Sequence, residues 1–202
     1  MGRATRQAER YWVGFDLGGT KMFCAIFDSR LRRRASLRQA TSAEDGDAGL
    51  EQMEAMIRRV MREAGIGRRA LGGIGLGTPG PLDLERGTLV FAPNLGWRNV
   101  PLRRRLEAAF ACPVVVANDV DAGTFGEYVA GAARGARTVV GIFPGTGIGG
   151  ACVYEGRLLR GRRHSCMEIG HMKLLPRGPL CGCGRRGCLE AMASRLAIAA
   201  AA

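Results

Sequence analysis

The chain has 202 residues, 47% hydrophobic, 24% charged and 6% aromatic, long enough for one large or two small domains and too apolar for wholesale disorder. No run approaches the roughly 20 apolar residues of a membrane span, and the opening residues lack the apolar core of a secretory signal, so a soluble, cytoplasmic protein is expected. The formal charge of +12 comes from arginines scattered in twos and threes, without a basic zipper or an aromatic RNA-binding motif, and reads as a basic surface rather than a nucleic-acid interface.

In chain order, residues 11–16 form an apolar strand, Leu17-Gly18-Gly19-Thr20 a turn, and residues 22–27 a returning strand. Leu50, Met53, Met56, Ile57, Val60 and Met61 recur every three or four residues, which predicts a helix with Asp45 and Asp47 near its start and Gly65 at its end. Residues 71–76 read as a strand thinned by glycine, 101–110 as a short helix opened by proline, and 114–117 as a buried strand. The outline then repeats: a helix over 119–133, a strand over 138–143, a glycine turn, a strand over 151–154 and a return over 157–159. Two related α/β lobes are expected, residues 1–115 and 116–202, dividing near 113–118. The second reads as incomplete, because the helix-forming run from Leu196 to Ala202 has no capping residue and no strand after it.

Three glycine clusters invite a phosphate-binding reading. Residues 145–150 and 75–80 each match G-x-G-x-x-G in form. The dinucleotide fingerprint needs a helix after the loop, so that the pyrophosphate meets its N-terminus, whereas Gly150 leads into a strand. A Walker-type loop is absent from the sequence. A glycine hairpin can still cradle phosphate through backbone N–H groups. Gly18, Gly19 and Thr20 supply such donors, Lys21 adds a cation, and Asp16 can hold magnesium through its water shell. Plain tight hairpin turns are the alternative, and the recurrence of a similar loop in each half favours the phosphate reading.

Of the seven cysteines, Cys24, Cys112, Cys152 and Cys166 sit singly beside apolar residues and read as small buried fillers. The odd, uneven set is no disulfide framework. Cys181, Cys183 and Cys188 are different: with His171 they offer three thiols and an imidazole on short glycine-rich links. Such a closed four-donor set suits a structural zinc ion. Glu168 and Glu190 flank it and can accept from sugar hydroxyls, or simply face solvent.

Taken in order, Asp16-Leu-Gly-Gly-Thr-Lys21, Ala92-Pro-Asn-Leu-Gly-Trp97, Asn118-Asp119, Gly145-Thr-Gly-Ile-Gly149, Glu168-Ile-Gly-His171 and the cysteine segment to Glu190 resemble the ROK family, sugar kinases of the actin-like ATPase superfamily, and within it the glucokinases. The resemblance implies a two-lobed actin-like (ribonuclease H-like) α/β fold and ATP-dependent phosphorylation of a hexose 6-hydroxyl, most simply of glucose. Fructose or an N-acylhexosamine is the alternative substrate, and a non-catalytic sugar-binding regulator the alternative function. It implies Asp119 as catalytic base, Asn94, Asn118, Glu168, His171 and Glu190 as sugar contacts, and Gly18, Gly19, Thr20, Gly145, Thr146 and Gly147 as ATP phosphate loops with Mg2+. His171, Cys181, Cys183 and Cys188 match the family's zinc set. Only fifteen residues precede Asp16, too few for the helix-turn-helix of family repressors, which favours the kinase branch. Family kinases continue past the zinc loop, so the chain is expected to be a fragment, with a homo-oligomer expected of the full-length protein.

Overall fold

The computed structural model describes residues 9–41, 45–92, 95–162 and 167–201. The chain divides into two compact units, Met1–Asp119 and Val120–Ala202.

The first unit is built on a five-stranded sheet of β1 (Tyr11–Leu17), β2 (Lys21–Phe27), β3 (Arg33–Ala40), β4 (Leu71–Thr78) and β8 (Val114–Asn118), in the order β3-β2-β1-β4-β8. The strands β1, β4 and β8 run parallel, while β2 and β3 are antiparallel additions at one side. Alternate residues of β1 and β2 (Val13, Phe15, Leu17; Met22, Cys24, Ile26) point into the core, the period-2 pattern of a sheet with one covered face. The cover is α1 (Gly46–Glu63) and α2 (Leu102–Phe110). The first turn of α1 is capped by the Asp45 carboxylate, which accepts from the Ala48 N–H at 2.8 Å. The buried stripe of α1 is the one the sequence predicts, from Leu50 to Met61. In α2, Leu102, Leu106 and Phe110 supply one buried row, and the Arg105 Nε–Glu54 Oε1 pair (2.7 Å) ties the two helices. Burial pushes the Cys24 thiol up to about 12, as befits an inert filler.

Two features lie outside the predicted elements. One is β3, whose chain reversal hangs on Asp28: Oδ1 accepts from the N–H groups of Arg30 (2.9 Å) and Arg32 (3.0 Å), and Oδ2 from Arg32 Nε (2.8 Å). Burial alone would raise this carboxyl, but those hydrogen bonds outweigh it and hold it below the usual range. The other is a small antiparallel sheet, β5 (Leu82–Asp83), β6 (Thr88–Ala92) and β7 (Trp97–Val100), in the order β5-β6-β7. Its Trp97, 1% exposed, lies against Gly49 of α1, where a β-carbon would overlap the indole ring. Alanine is favoured over glycine inside a helix by about 1 kcal/mol, whereas overpacking costs about 1–3 kcal/mol. Gly49→Ala is therefore expected to lower the urea midpoint, a net loss of up to roughly 2 kcal/mol. A rise in that midpoint would mean that the indole yields freely.

The second unit holds most of α3 (Asp119–Ala130), then β9 (Thr138–Pro144), β10 (Ile148–Tyr154) and β11 (Arg157–Leu158), followed by two short helices, α4 (Leu189–Ala193) and α5 (Arg195–Ala201). Its sheet runs β11-β10-β9, the same succession of hairpin and third antiparallel strand as β3-β2-β1. The hairpins are the repeat expected from the sequence, an expectation that did not include β3. The strand β10 begins earlier than predicted, at Ile148, and takes in Gly149 and Gly150. The reason is close approach: a β-carbon at Gly149 would press on Val120, and one at Gly150 on the Met167 carbonyl and Ile169. Among the described residues no helix is long and apolar enough to cross a membrane.

Candidate functional site

In the first unit the chemistry gathers at the carboxyl ends of the parallel strands, the edge at which α/β sheets bind ligands. Asp16 near the end of β1 pairs in register with Gly77 of β4, which pairs with Ala117 of β8. Asn118 closes β8 opposite Thr78, and Asp119 opens α3. With β4 between them, β1 and β8 are about 10 Å apart. Parallel pairing thus brings Asp16 and the Asn118-Asp119 pair to one edge. Partial burial first, and the Asp119 carboxylate second, raise Asp16 above its ordinary pKa, with Arg38 opposing them. Two acidic groups within electrostatic reach of each other are suited to hold a cation or share a proton.

The first glycine loop, Gly18-Gly19-Thr20, is the β1–β2 turn. The Gly18 N–H donates to Lys21 O (3.0 Å), and a β-carbon on Gly18 would fall 2.7 Å from that same oxygen, so the turn closes only on glycine. Thr41, just after β3, pins the turn: Oγ1 donates to Gly18 O (2.8 Å) and its N–H to Thr20 O (3.1 Å). Arg38 of β3 stacks over Phe23 at 5.3 Å, in the register row that contains Asp16. Neither Thr41 nor Arg38 was singled out by the sequence reading, because β3 went unseen.

In the second unit Gly145, Thr146 and Gly147 form the β9–β10 turn, with the Gly145 N–H donating to Gly147 O (2.7 Å). The loop leads into a strand, so the dinucleotide arrangement is absent here. The residues 75–80 are no phosphate loop either: Gly75 and Gly77 lie inside β4.

His171, Cys181, Cys183 and Cys188 converge, their donor atoms all within 4.8 Å of one another. The spacing can be tested against a tetrahedral ion. With zinc–sulfur bonds near 2.3 Å and zinc–nitrogen bonds near 2.0–2.1 Å, two sulfurs should stand about 3.8 Å apart and sulfur and nitrogen about 3.6 Å. Cys183 Sγ and Cys188 Sγ are 3.7 Å apart, and Cys181 Sγ and His171 Nδ1 3.6 Å. These two pairs match the spacing of a tetrahedral ion. Hydrogen bonds from the Arg185 side chain and backbone lower Cys183 to about 6, whereas burial raises Cys188 to about 11.

Glu190 lies in α4, directly after this cluster. Its Oε2 accepts from the Ile148 N–H at 2.9 Å, and Oε1 lies 3.9 Å from Cys181 Sγ. Glu168 is exposed and precedes the single helical turn Ile169–His171. Arg195, at the start of α5, donates its N–H to Gly145 O (3.0 Å) and carries Nη2 to 3.5 Å from Thr146 Oγ1. Arg195 is the cation at the second loop that the sequence reading missed. Asn94 and Cys166 lie outside the described residues.

The sequence pattern of the ROK family matches residues 12–202. The chain belongs to the ROK family. Among ROK relatives, a glucokinase of Streptomyces coelicolor is 36% identical over 186 residues, which are 92% of this chain and 57% of that protein. The crystal structure of a ROK hexokinase from Thermus thermophilus superposes with a TM-score of 0.81 at 43% identity, covering 93% of this chain and 61% of that one. A ROK glucokinase from Streptomyces griseus, solved with glucose and AMPPNP, superposes at 0.79 with 36% identity, covering 93% and 58% respectively. The fold is accordingly the mixed α/β, actin-like ATPase fold of ROK sugar kinases. The chain spans less than two thirds of the length of each of these ROK relatives.

Proposed function

We propose that the chain carries the sugar-binding and phosphate-binding parts of an ATP-dependent hexose kinase that phosphorylates the 6-hydroxyl, with glucose as the first candidate and the cytoplasm as its place. The observation that carries this reading is the meeting of Asp16 with Asn118 and Asp119 at one sheet edge, with Asp119 close enough to shift Asp16. Phosphoryl transfer through a loose transition state needs mainly positioning and charge stabilisation, plus one base within hydrogen-bond reach of the attacking hydroxyl. Asp119 is that base. Asp16 holds Mg2+ through its water shell, while Gly18, Gly19, Thr20 and Lys21 in one unit and Gly145, Thr146 and Gly147 in the other receive ATP phosphates.

Asn118, Glu168, His171, Glu190 and Asn94 contact sugar hydroxyls. The imidazole can serve twice, with Nδ1 towards the ion and Nε2 towards a hydroxyl, because its two nitrogens point apart. His171, Cys181, Cys183 and Cys188 hold a structural zinc ion that fixes the loop. The names of the relatives, glucokinase and hexokinase, support the substrate class.

The test is a coupled assay with Mg2+ and ATP, or with polyphosphate as donor, across glucose, mannose, fructose and N-acetylglucosamine. Formation of glucose 6-phosphate above that of the other products is the expected result. Saturable sugar binding without any phosphorylated product in the full-length protein would instead point to a sugar-binding regulator.

A further inference from the structure

The glycine loop of the second unit and the cysteine cluster are usually separate considerations, one for a nucleotide and one for a metal. In this chain they share a boundary. The segment that leaves Cys188 returns to the loop at three points: Glu190 Oε2 on the Ile148 N–H (2.9 Å), the Arg195 N–H on Gly145 O (3.0 Å), and Arg195 Nη2 near Thr146 Oγ1 (3.5 Å). The approach of Glu190 is built in, because a β-carbon at Gly147 would collide with its carboxylate. From the other side, Gly170, next to His171, packs under the Ile148 carbonyl so tightly that a β-carbon there would overlap it. The Leu189 N–H also donates to Met172 O (3.0 Å), joining the histidine side of the cluster to the start of α4.

We propose that Glu190 is a positioning residue through which ion occupancy at His171, Cys181, Cys183 and Cys188 fixes the conformation of the Gly145–Gly147 loop. This rests on the reading of the cluster as a metal site. An ion that joins residues 171 and 181–188 immobilises the N-terminus of α4, and α4 carries the carboxylate to the Ile148 N–H, just after the loop. Glu190 has oxygen lone pairs to spare for a sugar hydroxyl, so the two roles are compatible. What is new is the direction of dependence: the metal orders the phosphate loop, and by linkage the loop contact tightens the metal.

The test compares the wild-type chain with Glu190→Ala and Glu190→Gln, each loaded with one equivalent of zinc. Two quantities are measured: amide hydrogen exchange at Ile148, and zinc affinity by chelator competition. Losing the half-buried acceptor in Glu190→Ala should speed Ile148 exchange about tenfold or more and weaken zinc by a similar factor, with the amides of Ala151 to Val153 as protected internal controls. Glutamine keeps an acceptor oxygen and should stay within about twofold of wild type on both measures. A residue that only contacted sugar would move neither quantity. Wild-type zinc binding with unchanged Ile148 exchange, or unchanged zinc affinity, in Glu190→Ala overturns the inference alone. Failure of the wild-type chain to bind zinc overturns the cluster reading and the inference with it.

Discussion

Asp119→Asn is expected to cut hexose phosphorylation by about 10²–10⁴-fold while the sugar dissociation constant moves by less than about threefold. The amide has the shape of the carboxylate and can still hydrogen-bond a hydroxyl, but it cannot take the proton that the attacking oxygen must lose. The substitution also reports on the neighbourhood of Asp119. Asp16 is raised first by partial burial and second by the Asp119 charge. Removing that charge leaves only burial against the opposing pull of Arg38, so the Asp16 carboxyl should titrate at lower pH in the variant. Calorimetric sugar binding, steady-state turnover and a carboxyl-selective NMR titration together check the reading. Turnover at the parent rate would remove Asp119 from the chemistry. An unmoved Asp16 titration would mean that the two carboxylates do not feel each other.

Local signals carried most of what the sequence revealed. The β1 and β9 hairpins announce themselves by apolar runs broken at glycine, and α1 by its stripe and its Asp45 cap. The cysteine cluster was legible because its four donors lie within eighteen residues of chain, close enough for spacing to constrain geometry. The elements that escaped have physical reasons. The strand β3 reads Arg-Arg-Ala-Ser-Leu-Arg-Gln-Ala, with no buried residue to set a period, since it is an edge strand held by pairing with β2 and by the Asp28 turn. The strands β5 to β7 are two to five residues long, and their buried residues include a tryptophan seated on a helical glycine, a contact between distant positions. Within the site, the meeting of Asp16 with Asp119 depends on the parallel register of three strands, and the Glu190–Ile148 bond spans 42 residues. Composition and periodicity do not encode such pairings. The family resemblance supplied the roles, while the hydrogen bonds had to come from coordinates.

Removing the metal is expected to unfold the second unit and spare the first. The reason lies in how unequally the two units bury apolar surface. The first has a continuous core that includes Trp97, Phe110, Met22, Ile26, Leu50, Met53 and Ile57. In the second, among the described residues, the buried apolar set is Ile148, Ala151, Cys152, Val153, Cys181 and Cys188, while Phe125, Val129, Val140, Ile142 and Phe143 remain exposed. A fully buried large aliphatic side chain contributes about 1.5–3 kcal/mol, against about 1–2 kcal/mol of backbone entropy for every residue ordered. So small a core leaves the balance to other terms. A structural zinc ion contributes about 10–16 kcal/mol in finger peptides at neutral pH, comparable to the whole stability of a typical domain, about 5–15 kcal/mol. Chelation, or Cys188→Ser without a chelator, should therefore abolish amide protection in β9 and β10 and reduce the far-ultraviolet circular dichroism. Both tryptophans, Trp12 and Trp97, belong to the first unit, so their emission should hold steady through the same transition. Release of the ion with β10 still protected would show that its packing suffices. Loss of Trp97 burial in step with the metal would show that the first unit depends on the second for its own stability.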